Sequence, residues 1–86
     1  MDDIAKWRGD IDKIDEQLVV LLNKRASCAV EIGRIKQEEN MDIYNPEREK
    51  SIMQHIIHMN RGPLDDKALQ RIFRQIIEES KRCEAV

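Results

Sequence analysis

Residues 4–36, IAKWRGDIDKIDEQLVVLLNKRASCAVEIGRIK, decide the fold. Apolar side chains fall at Ile4, Trp7, Ile11, Ile14, Leu18 and Leu21, and the spacing resumes at Cys28, Ile32 and Ile35. Alternating steps of three and four residues mark a helix packed along its whole length. The spacing predicts one helix from about Asp2 to about Glu38, on the order of 50 Å long at a rise of 1.5 Å per residue. Such a helix cannot fold back to cover its own stripe. It needs long partners.

Downstream, ENMDIY (residues 39–44) breaks the pattern. A second helix is expected to begin at Pro46, with Asn45 as its N-cap and Glu47 and Glu49 at the positive end of its dipole. Its stripe is Ile52, Met53, Ile56, Ile57 and Met59. Asn60-Arg61-Gly62-Pro63 reads as a turn. The third helix opens near Asp65-Asp66 and turns Leu69, Ile72, Phe73, Ile76 and Ile77 inward. No segment alternates like a strand. The expected fold is all-α, three helices in one domain over residues 1–86.

A core at this size is marginal, because too little of the chain's surface can leave water. The two cysteines, Cys28 and Cys83, have neither the number nor the spacing of a disulfide framework or a zinc site. Assembly with a second chain remains. A net charge of −2, with acids and bases interspersed, argues against general nucleic-acid binding. No apolar run nears the roughly 20 residues that span a bilayer. The start, MDDIAK, lacks the apolar stretch of a signal peptide, so a cytoplasmic chain with reduced thiols is expected.

The informative residues are polar ones in apolar positions. Arg25 takes the stripe position between Leu21 and Cys28. A buried guanidinium without a partner is costly, so an anion should meet it. That anion could be a nearby Asp or Glu, or Arg25 could fix helix register. Lys36 follows eleven residues later, only about 20° around the helix and roughly 16 Å along it. Two long cationic side chains leaning together would leave a gap suited to a small dicarboxylate. Alone, a lysine such as Lys36 is more often a solvated residue at a helix end. Arg8 lies seventeen residues before Arg25, about 25 Å away and around 100° off that face. It reaches the same ligand only from an antiparallel partner chain, or else is a surface arginine.

The other helices repeat the habit. Glu49 heads the second stripe with Arg48 beside it, although both also suit a first helical turn. On the third helix, Phe73, Ile76 and Ile77 lead directly to Ser80 and Glu84. His55 and His58 are spaced i, i+3 with no third ligand apparent, and no metal or cofactor is expected. With no Ser/His/Asp set, cysteine nucleophile or glycine-rich phosphate loop, these groups would bind and polarise rather than attack.

Arg-x16-Arg-x10-Lys on the first helix, Asn-Pro-Glu-Arg-Glu opening the second and Ile-Ile-Glu-Glu-Ser-x3-Glu ending the third resemble the AroQ class of chorismate mutases. The runs Leu-Leu-Asn-Lys-Arg and Glu-Ile-Gly-Arg-Ile-Lys are typical of that class. The resemblance implies an intertwined helical homodimer with two shared sites, which rearranges chorismate to prephenate on the way to phenylalanine and tyrosine. It implies that Arg25 and Arg8 of the partner subunit hold carboxylates, and that Lys36 binds a carboxylate and the ether oxygen. Asn45 and Arg48 join the binding set, Glu49 takes the ring hydroxyl, Ser80 sits by the ring carboxylate, and Glu84 faces the ether oxygen. Lys36, Arg25 and Glu84 would be the catalytic set.

Two positions depart from the class: Asn45 stands where aspartate is often found, and Glu84 where many members carry glutamine. Two other readings remain open. One is an isochorismate-pyruvate lyase of the same fold; the other is a non-catalytic helical dimerisation or regulatory module. In the last, Arg25 and Lys36 only form salt bridges, and Arg25→Met is neutral or stabilising. A carboxyl donates a hydrogen bond only when protonated, whereas an amide donates at any pH. Activity is therefore expected to be better at acidic than at alkaline pH, and Glu84→Gln to flatten that dependence. Superimposable pH–rate profiles for the two proteins would refute the expectation.

Overall fold

The computed structural model describes residues 3–85, with Met1, Asp2 and Val86 outside the described part, so the expected start at Asp2 is not addressed. Three helices follow one another: α1 (Asp3–Glu38), α2 (Pro46–Met59) and α3 (Asp66–Glu84). Among the described residues there is no strand. The expected all-helical, three-helix architecture is what the chain adopts. Its extents are 59 × 23 × 15 Å, close to the length of α1 alone.

Each helix begins or ends where local chemistry dictates. Asn40 takes the left-handed conformation (φ 56°), which asparagine tolerates better than most residues. The Met41 amide then donates to the Lys36 carbonyl at 2.8 Å, and the Asn40 amide to that of Gln37 at 3.4 Å. This is the Schellman pattern, and it stops α1 just beyond Lys36. Asn45 caps α2 as expected, its Oδ1 accepting from the Arg48 amide at 3.1 Å, with Pro46 at the first helical position. Asp65 caps α3 in the same way, accepting from the Ala68 amide at 2.8 Å. Between α2 and α3, Asn60 organises the turn by donating to the Leu64 carbonyl and to Asp66, and by accepting from the Gly62 amide.

α3 is the spine. It packs on α1 and on α2, while no Cα of α1 comes within 8 Å of one in α2. Small residues of α1 make the first contact possible. Ala29 and Gly33 are buried, and a Cβ at Gly33 would sit 2.5 Å from the Glu84 Cα and 2.8 Å from its carbonyl carbon. A methyl group there would collide with backbone, which cannot swing aside as a side chain can.

Only Ala29, Ile56 and Ile77 are buried apolar residues among those described. The long stripe of α1 lies open, with Trp7 61%, Leu21 58% and Ile35 51% exposed. Two expectations of burial are corrected. Ile72 is 47% exposed and Met59 58%, because within one chain no element covers the sides of α3 and α2 that carry them.

Gly33→Ala should gain up to about 1 kcal/mol of helix propensity and lose about 1–3 kcal/mol to overpacking against the α3 backbone. The collision should win, lowering the thermal midpoint by about 4–8 °C for each kcal/mol of net loss. A midpoint equal to or above the parent's would show that α3 does not need this close approach.

Candidate active site

The gap between α1 and α2, floored by α3, forms a cavity of about 330 Å³. That size suits a small organic molecule. Arg25 and Lys36 reach it from α1, Asn45, Arg48 and Glu49 from the start of α2, and Ser80 and Glu84 from the end of α3. Seven of the eight expected site residues thus line one continuous pocket. Cys28, Ile32, Ile52 and Ile77 supply apolar surface between the charges.

Arg8 does not line this cavity, and its side chain is exposed. It stands seventeen residues before Arg25 on a continuous helix, about 25 Å away. Nothing within one chain brings the two together.

The charges are paired across helices. Arg25 Nη1 donates to Ser80 Oγ, which ties the middle of α1 to the end of α3. Lys36 Nζ lies 2.7 Å from Glu84 Oε1, and both side chains are only 13% exposed. The same ammonium donates to the Ile43 carbonyl at 3.0 Å, so the loop that follows the Schellman stop returns to hold the lysine. Arg48 Nη1 donates to Ser51 Oγ at 3.3 Å, and its fork remains at the cavity edge. Asn45 spends its carbonyl oxygen on the cap. The Lys36–Glu84 contact means that any ligand oxygen approaching the ammonium must share it with a carboxylate.

Sequence reasoning missed three contributors. The Ile43 carbonyl carries no side-chain signal. Gly33 stands out in the sequence only as part of a run typical of the class. Lys81 has Glu78 three residues before it and would pass for a surface helix pair, but in the fold it also lies 3.3 Å from Glu49 Oε2 and lines the cavity. Its ammonium is held above the ordinary lysine value by the Glu78 hydrogen bond first; partial desolvation works against this, and Glu49 adds to it. Glu84 Oε1 and Glu49 Oε2 are both enclosed and lack a well-aligned hydrogen bond among the described residues; each lies instead against a lysine ammonium, Lys36 and Lys81 respectively.

Among the described residues, no group of three or more His, Cys, Asp or Glu side chains could hold a metal ion. No helix there is long and apolar enough to cross a membrane. The profile of chorismate mutase type II matches residues 7–85. The chain belongs to this family. It is 38% identical over 81 residues to the bifunctional chorismate mutase/prephenate dehydratase of Stutzerimonas stutzeri, and that alignment covers 88% of the chain. With the Aquifex aeolicus protein of the same name it shares 41% over 81 residues, covering 90% of the chain. The chain spans 22% of the length of each of these relatives. Among solved structures, the form II chorismate mutase of Thermus thermophilus superposes with a TM-score of 0.92 at 28% identity, covering 94% of this chain and 92% of that one. Chorismate mutase of Helicobacter pylori in complex with prephenate gives 0.86 at 30% identity, covering 94% and 88%. The mutase fold is therefore present over nearly the whole chain.

Removing one member of the Lys36–Glu84 pair strands the other in a poorly solvated place. Lys36→Met is expected to cost about 1–3 kcal/mol in chemical denaturation. The double variant Lys36→Met/Glu84→Gln should recover most of that loss. Equal losses in the single and double variants would show that removing Lys36 does not leave the Glu84 carboxylate stranded.

Proposed function

We propose that this chain is a chorismate mutase, converting chorismate to prephenate, and that it works as a homodimer with sites shared between chains. The observation that carries the reading is the convergence of Arg25, Lys36 and Arg48 with Glu49 and Glu84 on one small cavity, from helices α1 and α2, whose Cα atoms stay more than 8 Å apart, and from α3 between them. Such a cavity fits a small dianion that also carries a hydroxyl and an ether.

The reaction is a Claisen rearrangement: unimolecular, pericyclic and free of any need for a nucleophile. Ser80 fits this, since its hydroxyl accepts from a guanidinium instead of facing a general base. Help comes from holding the enolpyruvyl side chain over the ring, which removes rotational freedom before the barrier is climbed. It also comes from stabilising charge that grows on the ether oxygen as the C–O bond breaks. In this proposal Arg25 and Arg8 of the partner subunit clamp the side-chain carboxylate. Lys36 serves a carboxylate and the ether oxygen, and Ser80 lies by the ring carboxylate. Arg48 closes the edge, Asn45 shapes the start of α2, and Glu49 accepts from the ring hydroxyl through the carboxylate oxygen that does not face Lys81. Glu84, which touches the Lys36 ammonium, donates to the ether oxygen when protonated.

Dimerisation is supported by two independent features. Apolar side chains of α1 lie about half to two-thirds exposed over its length, from Ile4 (67%) to Ile35 (51%), and each is worth about 1.5–3 kcal/mol when fully buried. Arg8 lies too far along the same helix to serve its own cavity. An antiparallel second α1 answers both needs.

Arg25→Ala and Lys36→Ala should each lower kcat/KM for chorismate by at least about 100-fold, the scale of losing a charge that stabilises the transition state. Arg8→Ala and Lys36→Ala chains, each nearly inactive alone, should recover up to about a quarter of wild-type activity when refolded together. Half of the dimers are then mixed, and each mixed dimer has one intact site. Failure of the wild-type protein to form prephenate would reject the proposed activity. Prephenate formation without recovery on mixing would reject the shared site alone.

A further inference from the structure

Lys81 is a charged cavity residue whose chemistry the proposed reaction does not use. Its ammonium touches Glu78 Oε1 at 2.8 Å on its own helix and Glu49 Oε2 at 3.3 Å across the cavity, and it stands 5.3 Å from the centre of the Tyr44 ring. It therefore bridges α3, the first turn of α2 and the loop that precedes it. With two carboxylates and an aromatic face around it, the ammonium is committed to the protein. We propose that Lys81 is a positioning residue that acts through Glu49, holding its Oε2 so that the other carboxylate oxygen faces the ring hydroxyl of the substrate.

The geometry accounts for each part. Glu49 lies in the first turn of α2, where no backbone amide or side chain among the described residues orients its Oε2 by a well-aligned hydrogen bond. Left alone, a glutamate on a helix surface samples several rotamers, and each side chain frozen on binding costs affinity. Lys81 holds that enclosed oxygen electrostatically and leaves the other carboxylate oxygen for the substrate. Glu78 holds Lys81 in turn, and Tyr44 limits where the ammonium can go. The groups facing Glu49 across the cavity are Arg25 and Lys36 from α1, Arg48 on α2, and Glu84 on α3. None of the three cations among them is within ion-pair distance of Glu49, so Lys81 is its single direct counter-charge among the described residues.

The catalytic part of the inference rests on the chorismate mutase reading; the Lys81–Glu49 link does not. The test compares wild type, Lys81→Met, Lys81→Arg, Glu49→Gln and the double variant Lys81→Met/Glu49→Gln in chorismate turnover. Folding is checked by circular dichroism. Lys81→Met is expected to raise KM about tenfold with kcat within about threefold, as for lost binding shared by ground and transition states. Lys81→Arg should restore most of the loss. In the Glu49→Gln background, Lys81→Met should change kcat/KM by no more than about twofold, because the partner it acts through is gone. A merely structural lysine would give additive losses in that cycle, and additivity overturns the inference while the proposed activity stands. A second arm needs no substrate. The titration of the Lys81 ammonium, followed by NMR at its ε carbon, should lie above that of an ordinary lysine and fall in Glu49→Gln. A titration unmoved by Glu49→Gln overturns the link whether or not prephenate forms.

Discussion

The carbonyl group of Glu84 rests where a side chain at position 33 would otherwise be, and the candidate site depends on that approach. Because residue 33 is glycine, the last turn of α3 lies directly against α1. At that distance Glu84 meets Lys36 and, one turn earlier, Ser80 meets Arg25. A larger residue at 33 would push the end of α3 outward and part both pairs. One missing methyl group thus sets the separation of charges that the cavity needs. The burial of Ala29 beside it continues the same shallow groove.

The charges are arranged so that the protein, not a ligand, absorbs most of their repulsion. Lys36 is offset by Glu84, and Lys81 by Glu49 and Glu78. Such pairs are weak sources of stability, because desolvation offsets much of the Coulombic gain. Their value is geometric. The Lys36–Glu84 pair ties α1 to α3 and the Lys81–Glu49 pair ties α3 to the first turn of α2, elements that approach from different directions. A dianion entering this space meets cations already aimed and need not reorganise solvent to find them. The Schellman stop after α1 belongs to the same arrangement, since it brings the Ile43 carbonyl back to hold the Lys36 ammonium.

Most of the apolar surface of α1 takes no part in this arrangement. Three buried apolar residues among those described are few for a chain of this size, and the exposed stripe from Ile4 to Ile35 marks where further burial must come from. In the proposed dimer that stripe would be covered and Arg8 of the partner subunit delivered to the cavity in one event. Stability and site completion would then share a single interface. That would explain how so small a chain can hold several cations around one ligand.

The sequence alone determined the helices and most of the site. Spacing named the α1 stripe, Asn45-Pro46 and Asp65 named two helix starts, and polar interruptions of the stripes pointed to Arg25, Lys36, Glu49, Ser80 and Glu84. These were legible because periodicity and capping are local, acting within a turn or two. The resemblance to a family carried the proposed substrate, which periodicity could not. The tertiary structure decided the rest: that Lys81 belongs to Glu49 as well as to Glu78, that Gly33 admits α3, that a loop carbonyl holds Lys36, and that Ile72 and Met59 lie exposed. All four depend on how segments distant in sequence lie against one another. A residue's own helical neighbours do not record what an opposing helix brings to it.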